Sequence, residues 1–352
     1  MKVLGPNMNK YPENILTGLL ELTDETWIIQ HTKFSIIDRR LGYSTDDNAR
    51  ALIAALRHHE FFGGYESIKI AKIYLIFLLN MYRKDGRFHN FLGYNREYLD
   101  EVGTEDSLGH TLWALGKTIN SNASDEMKKL AKWLFDNSLP HARQFTSPRE
   151  KAFAILGLTN YYKTFQNDTN IEKDIRFFAD NLIDQYNKES TRDWKWFEAY
   201  MTYANARLPH SLLKANDAVE DKNYLKVCLE SFNYLTENQF ENAVFQPIGT
   251  KGWFKKGGIK PKYDQQPLEA SCMVEAAIDI GEKTGEKRYN KIAMDTFQWY
   301  YGKNTENSCL INTRNFTCYD GLTSKGLNID QGAESTITYY LAYLKLKKRG
   351  LV

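Results

Sequence analysis

An excess of charge of either sign is missing from this sequence: 46 lysines and arginines stand against 44 aspartates and glutamates, a formal net charge of +2. So balanced a chain offers no broad basic footprint to a phosphate backbone, and nucleic acid is not an expected partner. Long apolar runs are missing too. No stretch approaches a membrane span, and the opening residues Met1 to Lys10 hold no apolar segment of secretory-signal length, so a cytoplasmic protein without membrane contact is expected. Cysteine is scarce. Cys228, Cys272, Cys309 and Cys318 show no C-x-x-C spacing and are too few for a disulfide framework, which predicts reduced, mostly buried thiols and disfavours a structural zinc. The chain also lacks a glycine-rich phosphate loop, an H-E-x-x-H motif and a nucleophile elbow, and Asp46-Asp47 lacks the further spaced acids that would hold magnesium. No metal or cofactor is expected. The 8 prolines and 22 glycines are scattered rather than gathered into a linker, so residues 1–352 read as one domain.

What is present is aromatic and helical. Phe, Trp and Tyr make up 14% of the chain. Most such rings pack cores, and the remainder suits sugar recognition, where C–H faces stack on rings and hydroxyls seek carboxylates, amides and guanidinium groups. Six segments repeat one pattern, a polar or acidic start followed by small and apolar residues too hydrophobic for an exposed helix: Asp46–Leu56, Glu105–Leu115, Pro148–Leu158, Glu198–Ala215, Gln265–Ile280 and Gln331–Leu346. Between them lie amphipathic, lysine-bearing segments near 66–83, 125–138, 171–188, 220–238 and 287–302, with residues 12–31 as a sixth. Successive starts are 59, 43, 50, 67 and 66 residues apart, which fits a helical hairpin plus a loop of variable length. Six buried helices gain partners on both sides in a ring wrapped by six outer ones. The predicted fold is all-α, an (α/α)6 toroid.

Helix starts in such a ring converge on one mouth. Thr45 or Asp46, Thr104, Ser147 and Asp330 are suitable N-caps, and acids in the following turn suit the positive end of the helix dipole whether or not they are catalytic. Cleaving a glycosidic bond needs one carboxylic acid and one carboxylate. The candidates are Asp46, Asp47, Glu105, Asp106, Asp193, Glu198, Asp264, Glu269, Asp320 and Glu334, of which half or more should be caps, ion-pair partners or hydroxyl binders. Asp47, Asp106, Glu198, Asp264 and Glu334 are the set expected to contain the acid and base. Glu198 is the strongest, because Trp194 and Trp196 beside it could raise its pKa. Arg50, Trp194, Trp196, Asn205, Arg207, His210, Trp253, Gln265 and Gln266 are the expected substrate binders.

Several ordered motifs carry a resemblance. They are Thr45–Leu52 (TDDNARAL), Glu105–His110 (EDSLGH), Trp196-Phe197-Glu198 with Leu208-Pro209-His210, Pro247-Ile248-Gly249 with Gly252-Trp253, Tyr263–Glu269 (YDQQPLE), Asp320-Gly321-Leu322, and Asn328 with Gln331–Thr336 (QGAEST). Together, over residues 30 to 345, they resemble a family of six-hairpin glycosidase-like toroids found alone or fused to glycosyltransferase domains. The chain departs from that pattern at His110, where an arginine is expected. The resemblance implies an (α/α)6 toroid in glycan metabolism. The leading expectation is a metal-independent hydrolase of intracellular oligosaccharides, with β-mannosides as a first guess and phosphorolysis through Arg50, Arg207 and His210 as a variant. Two alternatives stand: a sugar epimerase or isomerase using His89, His110 or His210, and a non-catalytic glycan-binding toroid serving a glycosyltransferase.

Overall fold

The computed structural model describes Tyr11 and residues 16–352, so the opening segment and residues 12–15 of the predicted first helix lie outside the described residues. Among the described residues the chain forms twelve α-helices: α1 (Leu16–Leu22), α2 (Thr45–Phe62), α3 (Tyr65–Met81), α4 (Glu105–Ile119), α5 (Asp125–Ala142), α6 (Pro148–Thr164), α7 (Thr169–Glu189), α8 (Arg207–Val219), α9 (Lys222–Gln239), α10 (Pro267–Thr284), α11 (Lys287–Phe297) and α12 (Ala333–Lys348). The even-numbered helices are the small-residue-rich ones. In α10 every residue from Pro267 to Gly281 is buried, whereas α7 buries only the stripe containing Ile171, Ile175, Phe178 and Leu182. A helix apolar all round needs neighbours all round. Here α2, α4, α6, α8, α10 and α12 touch in sequence and α12 returns to α2, closing a ring. Each outer helix packs on the inner helix before it, and α1 covers α12, so the first and last helices complete the sixth hairpin. This is an (α/α)6 toroid.

The ring closes tightly between α4 and α6. A Cβ on Gly116 would lie 2.2 Å from the Gly157 carbonyl oxygen, and one on Gly157 would lie 2.5 Å from that of Leu112. Only hydrogen at both positions allows these backbones to meet. No helix among the described residues is long and apolar enough to cross a membrane. All four cysteines are free, buried thiols.

Connections at the two ends of the ring differ. Inner helices pass to outer ones through short turns such as Gly63-Gly64 and Glu220-Asp221, while outer helices return through long loops such as 82–104, 190–206, 240–266 and 298–332. Long loops over a rigid scaffold are where sites are built, and they all gather at the N-terminal mouth of the ring. Small antiparallel ladders tie them to one another: Tyr43-Ser44 pairs with Phe91-Leu92, and Tyr200-Met201 with Phe254-Lys255.

Three starts differ from the sequence reading. The fourth inner helix begins at Arg207, not Glu198, because residues 198–206 form a short strand and a turn with Ala204 at φ 48°. The cap of α2 is Ser44, whose hydroxyl accepts the Asp47 amide, in place of Thr45 or Asp46. Asp330 does not cap α12, which starts from Gly332; its carboxylate accepts the Phe34 amide and pairs with Lys33. Thr104 and Ser147 cap α4 and α6 as expected.

Candidate active site

A cavity of about 310 Å3 opens at the N-terminal mouth. Asp46, Asp47 and Arg50 from α2 form one wall, Glu334 and Ser335 from α12 another, and Gln266, Asp320, Asn328, Gln30 and His31 come from the loops. Its hub is Arg50, nearly sealed from solvent. Nη1 of Arg50 donates to Glu334 at 2.6 Å, and Nη2 donates to Asp46 at 2.9 Å and to Asp47 at 3.0 Å. Burial opposes the charge of Arg50, but Glu334, Asp46 and Asp47 outweigh it and hold the guanidinium firmly protonated.

One cation shared by three acids leaves acid in surplus, and the surplus moves pKa values. The Asp47 carboxyl is raised first by burial and then by the charge of Asp46, against the pull of Arg50 and a bond from Ser44 Oγ at 2.6 Å. Both of its oxygens accept hydrogen bonds, one from Arg50 and one from Ser44. Asp106, at the start of α4, is pushed up to about 7 by burial and by Asp46 and Glu150. Its contacts are looser: the Tyr203 hydroxyl donates to it at 3.2 Å, and His110 Nε2 lies 3.7 Å away, on the next turn of α4. His110 is buried against Phe153 and Trp113 and held neutral, first by burial and then by the charges of Arg50 and Arg207.

Behind Asp106 runs a support chain. Nε of Arg149 donates to the Tyr203 carbonyl at 2.6 Å, its guanidinium lies over the Tyr203 ring, and Nη1 pairs with Glu198 at 2.6 Å. Glu198 is therefore a brace for Arg149 and lies away from the cavity lining. The next start carries Glu269, which accepts from Asn205 at 2.9 Å and from Gln239 at 3.3 Å and whose carboxyl is raised by burial. Asn205 is likewise a buried strut and does not line the cavity. Among the described residues, the buried atoms without a protein partner include Arg149 Nη2, Glu150 Oε2 and Glu269 Oε1 on this side.

Several expected site residues are placed elsewhere. Trp194 and Trp196 are core rings, 3% and 0% exposed; Trp194 packs on Tyr234 and Phe254 and gives its N–H to the Glu198 carbonyl. Asp264 is partly buried, makes no side-chain hydrogen bond among the described residues, and does not cap α10, whose N-cap is Gln266. Gln265 is a staple, bonded through its side chain to Lys262, Thr305 and Trp299 and through its backbone to Leu322. Arg207 and His210 lie deeper along the axis: Arg207 is ion-paired with Glu275, and His210 Nε2 donates to Asp279 at 2.7 Å. Burial holds His210 at about 4 despite that carboxylate. Trp253 is 46% exposed and stacks on Tyr200, on the loop side of the ring. His89 is fixed to the Asp100 carbonyl and stacked on Tyr98.

The sequence reading did not single out Gln30, His31, Arg149 or Glu150. The signal for the last two was available, since Pro148-Arg149-Glu150 opens the third repeat as Asp46-Asp47 and Glu105-Asp106 open the first two. Nothing comparable marks Gln30 or His31.

No protein-family profile matches the chain, and no curated protein matches it by sequence. Solved structures do match in shape. A cellobiose 2-epimerase from Bacillus thermoamylovorans superposes with a TM-score of 0.75 at 12% identity, over 96% of each chain. A D-mannose isomerase gives 0.74 at 13% identity, over 96% of this chain and all (100%) of that one. A GH76 α-mannanase from Bacteroides thetaiotaomicron gives 0.68 at 12% identity, over 96% of this chain and 94% of its own. The chain thus shares the six-hairpin (α/α)6 toroid fold with these proteins, nearly end to end.

Proposed function

We propose that the N-terminal mouth binds an oligosaccharide and hydrolyses a glycosidic bond, with Asp106 as proton donor. One observation carries the reading: Asp106, raised to about 7, stands at the same mouth as three carboxylates gathered on Arg50. Glycosyl transfer to water needs this division between a carboxyl that still has its proton and a carboxylate that can accept one. Asp106 protonates the departing glycosidic oxygen. Glu334, 41% exposed at its side chain, takes a proton from the attacking water, whose hydroxyl ends on the anomeric carbon. Asp47, with both oxygens engaged, steadies Arg50. The sugar chemistries named for the fold neighbours support a carbohydrate substrate, and β-mannosides are the first to test.

Epimerisation is the second reading, favoured by His31 at the cavity and His110 beside Asp106. Proton abstraction next to a carbonyl works best with a base whose pKa lies near the working pH. His110, held far below that, is a weak base, so the epimerase reading rests on His31.

The test is product release from a panel of β-mannosides, β-glucosides and α-mannosides. We expect wild-type cleavage and a loss of about 10²–10⁴-fold in Asp106→Asn with its melting transition retained. Full activity in that variant would remove Asp106 from the mechanism. Deuterium entering the sugar from heavy water without cleavage would favour epimerisation. Binding without turnover across the panel would favour a glycan-holding toroid serving a glycosyltransferase.

A further inference from the structure

The opposite mouth holds a second cavity, of about 260 Å3, to which all six inner helices contribute, mostly from their C-terminal halves. Six cations line it: Arg57 from α2, Lys117 from α4, Lys163 from α6, Lys214 from α8, and Lys345 and Lys348 from α12. Only two lining residues are acidic, Glu60 and Asp279, and both are fully used. Glu60 takes Lys117 on both oxygens, at 2.6 and 2.7 Å. Asp279 takes Lys214 at 2.9 Å, Lys345, and His210 at 2.7 Å. Lys163 and Lys348 have no carboxylate within ion-pair distance among the described residues.

Cations near helix C-termini are expected, since each carbonyl end is partly negative. That accounts for lysines in the last turns but not for their convergence on one concave space. Lys163 is crowded there: burial, and then the charge of Lys214, disfavours its own charge. Crowded, unpaired ammonium groups around a cavity of small-molecule size, with Trp113 and Leu344 as apolar wall, fit a compact polyvalent oxyanion that can accept several N–H bonds at once.

We propose that the C-terminal mouth of the toroid is an anion site that takes a phosphate group, free or carried on a sugar, with Lys163 and Lys348 as its uncommitted ligands. The site lies across the ring from the acidic mouth and does not depend on the chemistry there.

Isothermal titration calorimetry at fixed ionic strength tests it, with inorganic phosphate, mannose 6-phosphate and mannose as titrants and chloride as the balancing salt. We expect one saturable site for phosphate, for mannose 6-phosphate, or for both, with no heat from mannose in the Lys163/Lys348 mouth. The comparison of the two phosphates tells a free ion from a sugar phosphate. Lys163→Gln and Lys348→Gln, both at side chains with no carboxylate partner among the described residues, should each weaken binding at least about tenfold and leave turnover at the other mouth unchanged. No saturable binding of either phosphate, or binding of wild-type strength in both variants, would overturn the proposal.

Discussion

The two mouths of this ring are made from the same six helices and carry opposite charge. The N-terminal mouth gathers Asp46, Asp47 and Glu334 on Arg50, with Asp320 in the same cavity and Asp106 at the start of the next inner helix, and the C-terminal mouth gathers lysines around two carboxylates. The helix dipole favours both patterns, so the sign of the charge at either end is weak evidence of function. What distinguishes the mouths is the balance inside each. Burial, and then acid in surplus over Arg50, raises Asp47 and Asp106, while lysine in surplus over Glu60 and Asp279 leaves Lys163 and Lys348 without a carboxylate partner among the described residues. Surplus, rather than sign, marks where a ligand or a proton has work to do.

The strongest way to break the contrast is to remove what separates the mouths. Arg57 and Arg207 meet at Glu275, which is fully buried and held well below the carboxylate range: burial opposes its charge but the two guanidinium groups overcome it. Glu275→Ala strands two cations in the axis and should cost about 3–5 kcal/mol in urea denaturation. A change below about 1 kcal/mol would mean that water already reaches these groups. Next in size, Gly157→Ala forces α4 and α6 apart and should cost about 1–3 kcal/mol in a thermal melt.

A pH series sharpens the comparison. A carboxyl raised on folding, as Asp106 is, favours the folded state at low pH and loses that contribution as pH rises through about 7. Asp279 and Glu275, both lowered, act in the opposite sense and lose theirs as pH falls through the acid range. Asp106→Asn should therefore stabilise the protein at pH 8, on the order of 1 kcal/mol, and do little at pH 4. Cleavage should decline above about pH 7 as Asp106 loses its proton. The smallest effect belongs to Lys163→Gln without phosphate present, where stability should stay within about 0.5 kcal/mol of wild type. A large loss would show that Lys163 is structural.

The ring was legible because its inner helices are apolar on every side, a feature that only a closed double layer can bury. Cap positions were legible at Thr104 and Ser147, whereas at α2, where Ser44 and Thr45 both precede the acids, the cap lies on Ser44 rather than on Thr45 or Asp46. The start of α8 was not, because residues 198–206 have helix-compatible composition; Pro209 in the first turn was the overlooked marker, since proline belongs near a helix start. Direction was the larger gap. Trp194 and Trp196 flank Glu198 in sequence but turn into the core, and composition alone does not say which way a loop ring points. Arg207, His210 and Lys214 could have been read as one stripe, at helical spacing, facing the axis and running away from the N-terminal mouth toward the other one.

That stripe has a consequence for traffic. Arg207, Glu275, His210 and Asp279 fill the centre of the ring with paired charge, all at most 6% exposed, so the pocket is blind-ended. A long chain cannot be drawn through it like thread through a bead. Any ligand that enters must back out by the route it came in, and under the function proposed above a glycan would present a terminus or lie across the rim.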